Sequence, residues 1–247
     1  MCTVTYIPSV GNSYFLTSNR DENKIRLVAQ KPVWYLYASG KILFPKDGNA
    51  GGTWMALHEN GSAMVLLNGA TQAHQYLPPY RKSRGVVFLD IFDHPQPLAA
   101  FDQVNLHKIE PFTLVIRQQQ YLFLTRWDGM DKTIEELDPA KGYIWSSSTL
   151  YSNEVIRKRK EWFDLFLTQH PTAGADEILN FHRFAGDGDQ TNDVLMNRNN
   201  ELFTVSITQL YRNQLNSLFH YYDLQNADHS THEFLHQMPV TTYNEVE

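Results

Sequence analysis

Cys2 is the only cysteine in a chain of 247 residues, and it stands one position behind Met1. A cysteine can be a small hydrophobe that opens a buried strand. Once Met1 is removed, the same residue carries both a thiol and a free α-amine, a nucleophile with its own proton acceptor. Arg20 and Asp21 are the groups such a pair would use: a guanidinium stabilises a thiolate, and a carboxylate holds a protonated amine or orients the site. Asn68 is a candidate oxyanion donor, because an asparagine amide at a strand end can meet a developing negative charge. Each has a plainer reading. Arg-Asp at a strand end is commonly a solvated ion pair, and asparagine is commonly a turn former.

Bringing residue 2 to residues 20 and 21 takes a hairpin. "CTVTYIPS" and "SYFLTSNRDE" are β-rich runs on either side of "VGN". If Pro8-Ser9 and Ser13-Tyr14 flank the turn, residue 2 lies opposite Arg20 or Asp21. "TWMALHE" and "SAMVLLN" enclose Asn60-Gly61, the strongest short hairpin signal. A two-residue turn there pairs Glu59 with Ser62 and sets Asn68 opposite Thr53. Gly51-Gly52 just ahead permit close backbone approach and leave space beside Asn68. Further hairpins are expected at Gln118-Gln119 and Asn199-Asn200, with a last strand within "LNSLFHYYDL".

Helical patterns separate these units. Ser83 can cap "RGVVFLDIFDH", and "PLAAFDQVNL" follows. "SNEVIRKRKEWFDLFLTQH" spaces Ile156, Trp162, Phe163 and Phe166 along one face and stops before Pro171, and "ADEILNFHRFA" is a shorter helix. The expectation is one α+β domain over residues 1–247, with two mainly antiparallel sheets covered by helices.

Composition narrows the partners. Hydrophobic residues make up 42% of the chain, enough for a substantial core. With 21 basic against 27 acidic residues the net charge is −6, which argues against nucleic acid or an anionic membrane as partner. The longest apolar run, residues 33–38, is too short to span a bilayer. The first residues lack the basic and apolar segments of a secretory signal, and a single cysteine cannot form an internal disulfide. A soluble cytoplasmic protein is expected. His229, His232 and His236 would share a helix face as metal ligands, but a polar C-terminal tail is the preferred reading and no metal is expected. Asp187 and Asp189 lack the spacing of a calcium loop and read as an ordinary loop.

The stretch "SNRDE" (residues 18–22), with Cys2 ahead of it and "FPKDGNAGGTW" and "VLLNG" behind, resembles the NRDE family, also called transport and Golgi organisation protein 2-like. "SRG" (residues 83–85), "EPFTLV" and "WSSSTLYS" extend the resemblance over most of the chain. The family looks like a branch of the N-terminal-nucleophile hydrolases, related in function to choloylglycine hydrolases and penicillin V acylases. The resemblance therefore implies a four-layer αββα fold. It implies Cys2 as nucleophile, its α-amine as base, and Arg20 and Asp21 as the flanking pair. Asn68 matches the first oxyanion asparagine, and Asn19, Thr53 and Trp54 are expected to bind substrate.

The chain also departs from the pattern. Where a second active-site asparagine is expected, it has Ser146-Ser147-Ser148-Thr149, with Asn153 later at a helix start. A late arginine has no secure counterpart, since Arg198 sits beside a turn. The implied chemistry is acyl transfer from an amide or thioester of a small molecule, with no metal or organic cofactor. The competing expectation is a non-catalytic binding or trafficking protein on the same fold, because relatives have been linked to haem handling and lipid metabolism.

Overall fold

β1 (Thr3–Pro8) and β2 (Tyr14–Asn23) form the first hairpin of the computed structural model, which describes residues 3–236. A 3₁₀ turn at Val10–Asn12 joins them, with Gly11 and Asn12 at φ of 65° and 66°, a region these two residue types tolerate. Thr3 pairs with Asn19 and Pro8 with Tyr14, one of the two expected registers. The other elements follow in chain order: β3 (Gln30–Tyr37), β4 (Gly40–Lys46), β5 (Met55–His58), β6 (Ala63–Asn68), α1 (Arg84–Phe92) and α2 (Pro97–Gln103). Next come β7 (Phe112–Gln118), β8 (Tyr121–Trp127), β9 (Lys132–Leu137), β10 (Tyr143–Ser146), α3 (Asn153–Gln169) and α4 (Ala175–Phe184). The last are β11 (Asn197–Arg198), β12 (Leu202–Arg212), β13 (Asn216–Asp223) and β14 (Asp228–Leu235).

The strands make two antiparallel sheets. The first runs β10-β1-β2-β12-β13-β14, with β11 on β12, and the second runs from β3 to β9 in chain order. α3 and α4 pack on the first sheet, α1 and α2 on the second, and β1 meets β6 between them. The result is the αββα layering that the resemblance implied. Side-chain alternation along β1 and β2 builds it. Val4, Tyr6, Tyr14 and Leu16 face the second sheet and join a core with Leu57, Val65 and Leu114. Ile7 and Phe15 face the other way, onto Phe163, Phe166, Ile178 and Phe181 of the helices. Each such side chain contributes about 1.5–3 kcal/mol by leaving water. Ser83 and Ser152 cap α1 and α3 by accepting from the backbone N–H groups of Val86 and Val155.

Two expectations are corrected. The Asn60-Gly61 hairpin has a three-residue loop, not two: Met55 pairs with Val65 and Leu57 with Ala63, and His58 N donates to Ser62 O at 2.9 Å. Gly61 takes φ of 85°, which extends the turn by one residue. The one-residue shift moves Asn68 out of register with Thr53, and on its other side Asn68 pairs with Phe112 of β7. The histidines near the C-terminus lie on or just after a strand, so His229 and His232 of β14 project to opposite faces and share no helix face. Residues 187–189 are a loop held by its own hydrogen bonds, as expected. No helix among the described residues is long and apolar enough to cross a membrane.

Candidate active site

Arg20 and Asp21 follow each other on β2 and so point into different layers. Arg20, 3% exposed, faces the second sheet. Its Nη2 donates to Asp47 Oδ2 at 2.5 Å and lies 3.3 Å from Glu22 Oε1, while its Cζ sits 4.4 Å from the centre of the Trp54 ring. Asp21 faces the helix layer, where its carboxylate accepts from Tyr151 Oη at 2.7 Å and from Thr204 Oγ1 at 2.6 Å. β12 carries a bulge at this step, because Thr204 pairs with Asp21 but Ser206 with Arg20. Such bulges re-aim side chains beside functional sites.

On the Arg20 side a cleft of about 340 Å³ opens between the two sheets' ends and the start of α1. Three arginines and three carboxylates line it: Arg20, Arg26 and Arg84 against Glu22, Asp47 and Glu110. Arg26 donates twice to Asp47, each at 3.0 Å, and Arg84 pairs with Glu110 at 3.2 Å. The hydrogen bond from Arg26 to Asp47 raises the Arg26 pKa. Burial pushes the Asp47 carboxyl up, but hydrogen bonds from Arg26 and Ala50 N–H and the charges of Arg26 and Arg20 outweigh it, so the group sits below its ordinary value. Burial lowers the Arg84 pKa despite Glu110.

Thr53, Trp54 and Asn68 line the same cleft as Arg20. Thr53 Oγ1 is turned to the Pro45 carbonyl at 2.7 Å, and Trp54 is almost wholly buried. Asn68 ends β6 half-buried, between this cleft and a smaller groove of about 170 Å³ lined in part by Ile144, Trp145 and Ile156. Gly52 abuts Gly85 at the start of α1, so its bare backbone serves close contact with a helix rather than open space.

Asn19 lies away from the cleft. It is fully buried on the helix side, where Nδ2 donates to His182 O and Val194 O at 3.0 and 2.9 Å. Its Oδ1 only accepts, so His182 Nδ1 carries the proton of their 2.7 Å bond and His182 Nε2 accepts from Thr5 Oγ1 at 2.8 Å. Burial and the charge of Arg159 push the His182 pKa down to about 3. Cys2 lies outside the described residues; the residue that follows it, Thr3, is the one opposite Asn19. Among the described residues no three His, Cys, Asp or Glu side chains converge as metal ligands.

Residue spacing alone did not point to Glu22, Arg26, Asp47, Arg84 or Glu110 as cleft residues. The signal lay in the family-like stretches: "SNRDE", "FPKDGNAGGTW", "VLLNG", "SRG" and "EPFTLV" all contribute to one cleft. A family model described as Transport and Golgi organisation 2 matches residues 1–233. The chain belongs to that family. Among curated proteins no match is found. Among solved structures, this Transport and Golgi organisation 2 chain is similar to an alanine mutant of the conjugated bile acid hydrolase from Clostridium perfringens, at 8% identity and a TM-score of 0.55, with 100% of both chains covered. It is also similar to the Caenorhabditis elegans ortholog of N-acylethanolamine-hydrolyzing acid amidase, at 12% identity and a TM-score of 0.52, covering 85% of this chain and 92% of that one. These likenesses place it in the N-terminal-nucleophile hydrolase fold.

Proposed function

We propose that this member of the family is a cysteine N-terminal-nucleophile hydrolase that cleaves an amide or thioester bond in a small molecule. Cys2 is the nucleophile once Met1 is removed, and its α-amine is the base; an ordinary α-amine pKa of about 7.7–8.0 suits that role near neutral pH. The observation that carries the reading is the β1–β2 register. Thr3 opposite Asn19 brings the residue after Cys2 alongside the Asn19-Arg20-Asp21 run.

In this reading the thiol proton passes to the α-amine and the thiolate attacks the carbonyl carbon. Asn68 Nδ2 and a backbone N–H hold the oxyanion, the amine or thiol leaves with the proton, and water releases the acyl group from sulfur. Thr53 and Trp54 shape the cleft that takes one side of the scissile bond, and the groove beyond Asn68 takes the other. Asp21 supports the ammonium.

One observation favours the non-catalytic alternative: the guanidinium of Arg20 is already engaged by Asp47 and Glu22. The test is intact mass of protein purified from its own host, before and after exposure to a panel of acyl donors. A mass lacking methionine, with turnover or an acyl adduct that disappears in Cys2→Ala, is the expected outcome. Retained Met1, or turnover unchanged in Cys2→Ala, would overturn it.

A further inference from the structure

Resting on that reading, we propose that Tyr151 is a positioning residue which fixes the Asp21 carboxylate, the group that supports the α-amine in that reading, with Arg159 and Arg198 fixing its ring. The segment "WSSSTLYS", where an active-site amide was expected, delivers instead a phenol to the far side of β2. Tyr151 is 4% exposed and its hydroxyl donates to Asp21 Oδ2 at 2.7 Å. Thr204 donates to Oδ1, so the carboxylate is gripped from two elements and its plane is set.

Two cations decide where the phenol points. Arg159 Cζ lies 3.7 Å, and Arg198 Cζ 5.4 Å, from the centre of the Tyr151 ring. Arg159 is fully buried, and its donors reach Thr3 Oγ1, Asn192 O and Asp193 O. Among the described residues it makes no ion pair with a carboxylate. A buried guanidinium satisfied only by neutral oxygens is costly, and α3 carries it at the residue next to Cys2. Consecutive Cα atoms are about 3.8 Å apart, so the grip on Thr3 acts one residue along the chain from the nucleophile. Arg198, which donates to Leu150 O at 2.9 Å, steadies the backbone just ahead of Tyr151.

The charged and titratable groups around this pair come from each element packed on it. They are Arg159 from α3, His182 from α4 through Asn19, and Arg198 from β11, while Arg20 and Glu22 occupy the opposite face of β2. Burial and the charge of Arg159 push the His182 pKa down to about 3, below the range in which a thiol titrates. A carboxylate held in place supports the ammonium that forms when the thiol gives up its proton. A loosened carboxylate favours the neutral thiol–amine pair.

The experiment measures the rate of Cys2 alkylation by iodoacetamide against pH on Met1-free protein, with urea unfolding in parallel. Tyr151→Phe keeps the ring and its cations and removes one oxygen. Its alkylation midpoint should rise by roughly 0.5–1 pH unit, part of the roughly 1–2 units that one hydrogen bond to a charged group represents, because the bond acts on the thiol through Asp21. Arg198→Gln should shift it the same way by less. Asp21→Asn is the reference. If Asp21→Asn moves the midpoint and Tyr151→Phe does not, the positioning role is refuted while the hydrolase reading stands. If neither moves it, the reading of Asp21 fails and takes Tyr151 with it. A fall in urea midpoint without a shift in the alkylation curve assigns Tyr151 to structure alone and overturns the proposal.

Discussion

Gly52 and Gly85 meet backbone against backbone: a methyl group on Gly52 would lie 2.2 Å from the Gly85 carbonyl carbon. That contact seats the start of α1 against the loop carrying Thr53 and Trp54, and Thr53 N donates to Gly85 O at 3.2 Å. Neither partner is a side chain able to swing away. Gly52→Ala is therefore expected to cost about 3 kcal/mol, the upper end for overpacking. Urea unfolding measures it, and a midpoint equal to that of the parent protein would show that the two backbones can part freely.

Asp47 holds two guanidinium groups, of which Arg20 is deeply buried and Arg26 about a third exposed. Asp47→Ala leaves both with Glu22 as their one remaining carboxylate partner among the described residues, at 3.3 and 3.5 Å, and is expected to cost about 2–3 kcal/mol in urea unfolding, discounted for the exposure of Arg26.

The same carboxyl gives a pH signature. Its folded pKa is depressed below 3.8, so its contribution is fully present above the unfolded value and is lost as pH falls through the folded one. Below about pH 4 the parent should lose stability more steeply than Asp47→Asn. Parallel acid slopes for the two proteins would contradict a depressed Asp47 pKa.

His182 is buried neutral, with its pKa pushed down to about 3 against an ordinary 6.5. Between those values the unfolded chain binds a proton that the folded chain refuses, so stability rises with pH across that window and is lost on acidification. Each unit costs at most about 1.4 kcal/mol. His182→Gln keeps hydrogen-bonding capacity and should flatten the slope of unfolding free energy between pH 6 and 4, as read from urea titrations at several pH values. An unchanged slope would mean that the imidazole is protonated in place.

Asn68→Ala tests the oxyanion role directly. On whichever acyl donor the mass assay selects, kcat should fall by roughly 10²–10³ with KM little changed. A side chain at the end of β6 that lines an open cleft should leave thermal unfolding nearly unaltered. A large stability loss with modest kinetic change would instead make Asn68 a strand terminator.

The first hairpin could be read from the sequence because Gly11-Asn12 and the flanking runs fix both turn and alternation. The second slipped by one residue, since Asn60-Gly61 signals a hairpin without distinguishing a two-residue loop from a three-residue loop with glycine last. β14 was hidden because "HSTHEFLH" is an exposed edge, polar on alternate positions and without an apolar face to announce a strand. Arg159 stands among Arg157, Lys158 and Lys160 and looks like one more solvated charge. Only the packing of α3 shows that this one is sealed inside. The acids of the cleft were within recognisable motifs, but nothing in a string of letters says that Asp47 and Glu110, more than 60 positions apart, close one pocket.

Arg20 and Asp21 are neighbours in the chain and strangers in space, and heredity should record that. A change at position 21 is answered by residues 151 and 204, whereas a change at position 20 is answered by residues 47 and 54. Among descendants of one ancestral gene, the two positions should drift with different companions. Lineages that abandon the cleft could lose the arginine's set and still inherit the aspartate's intact.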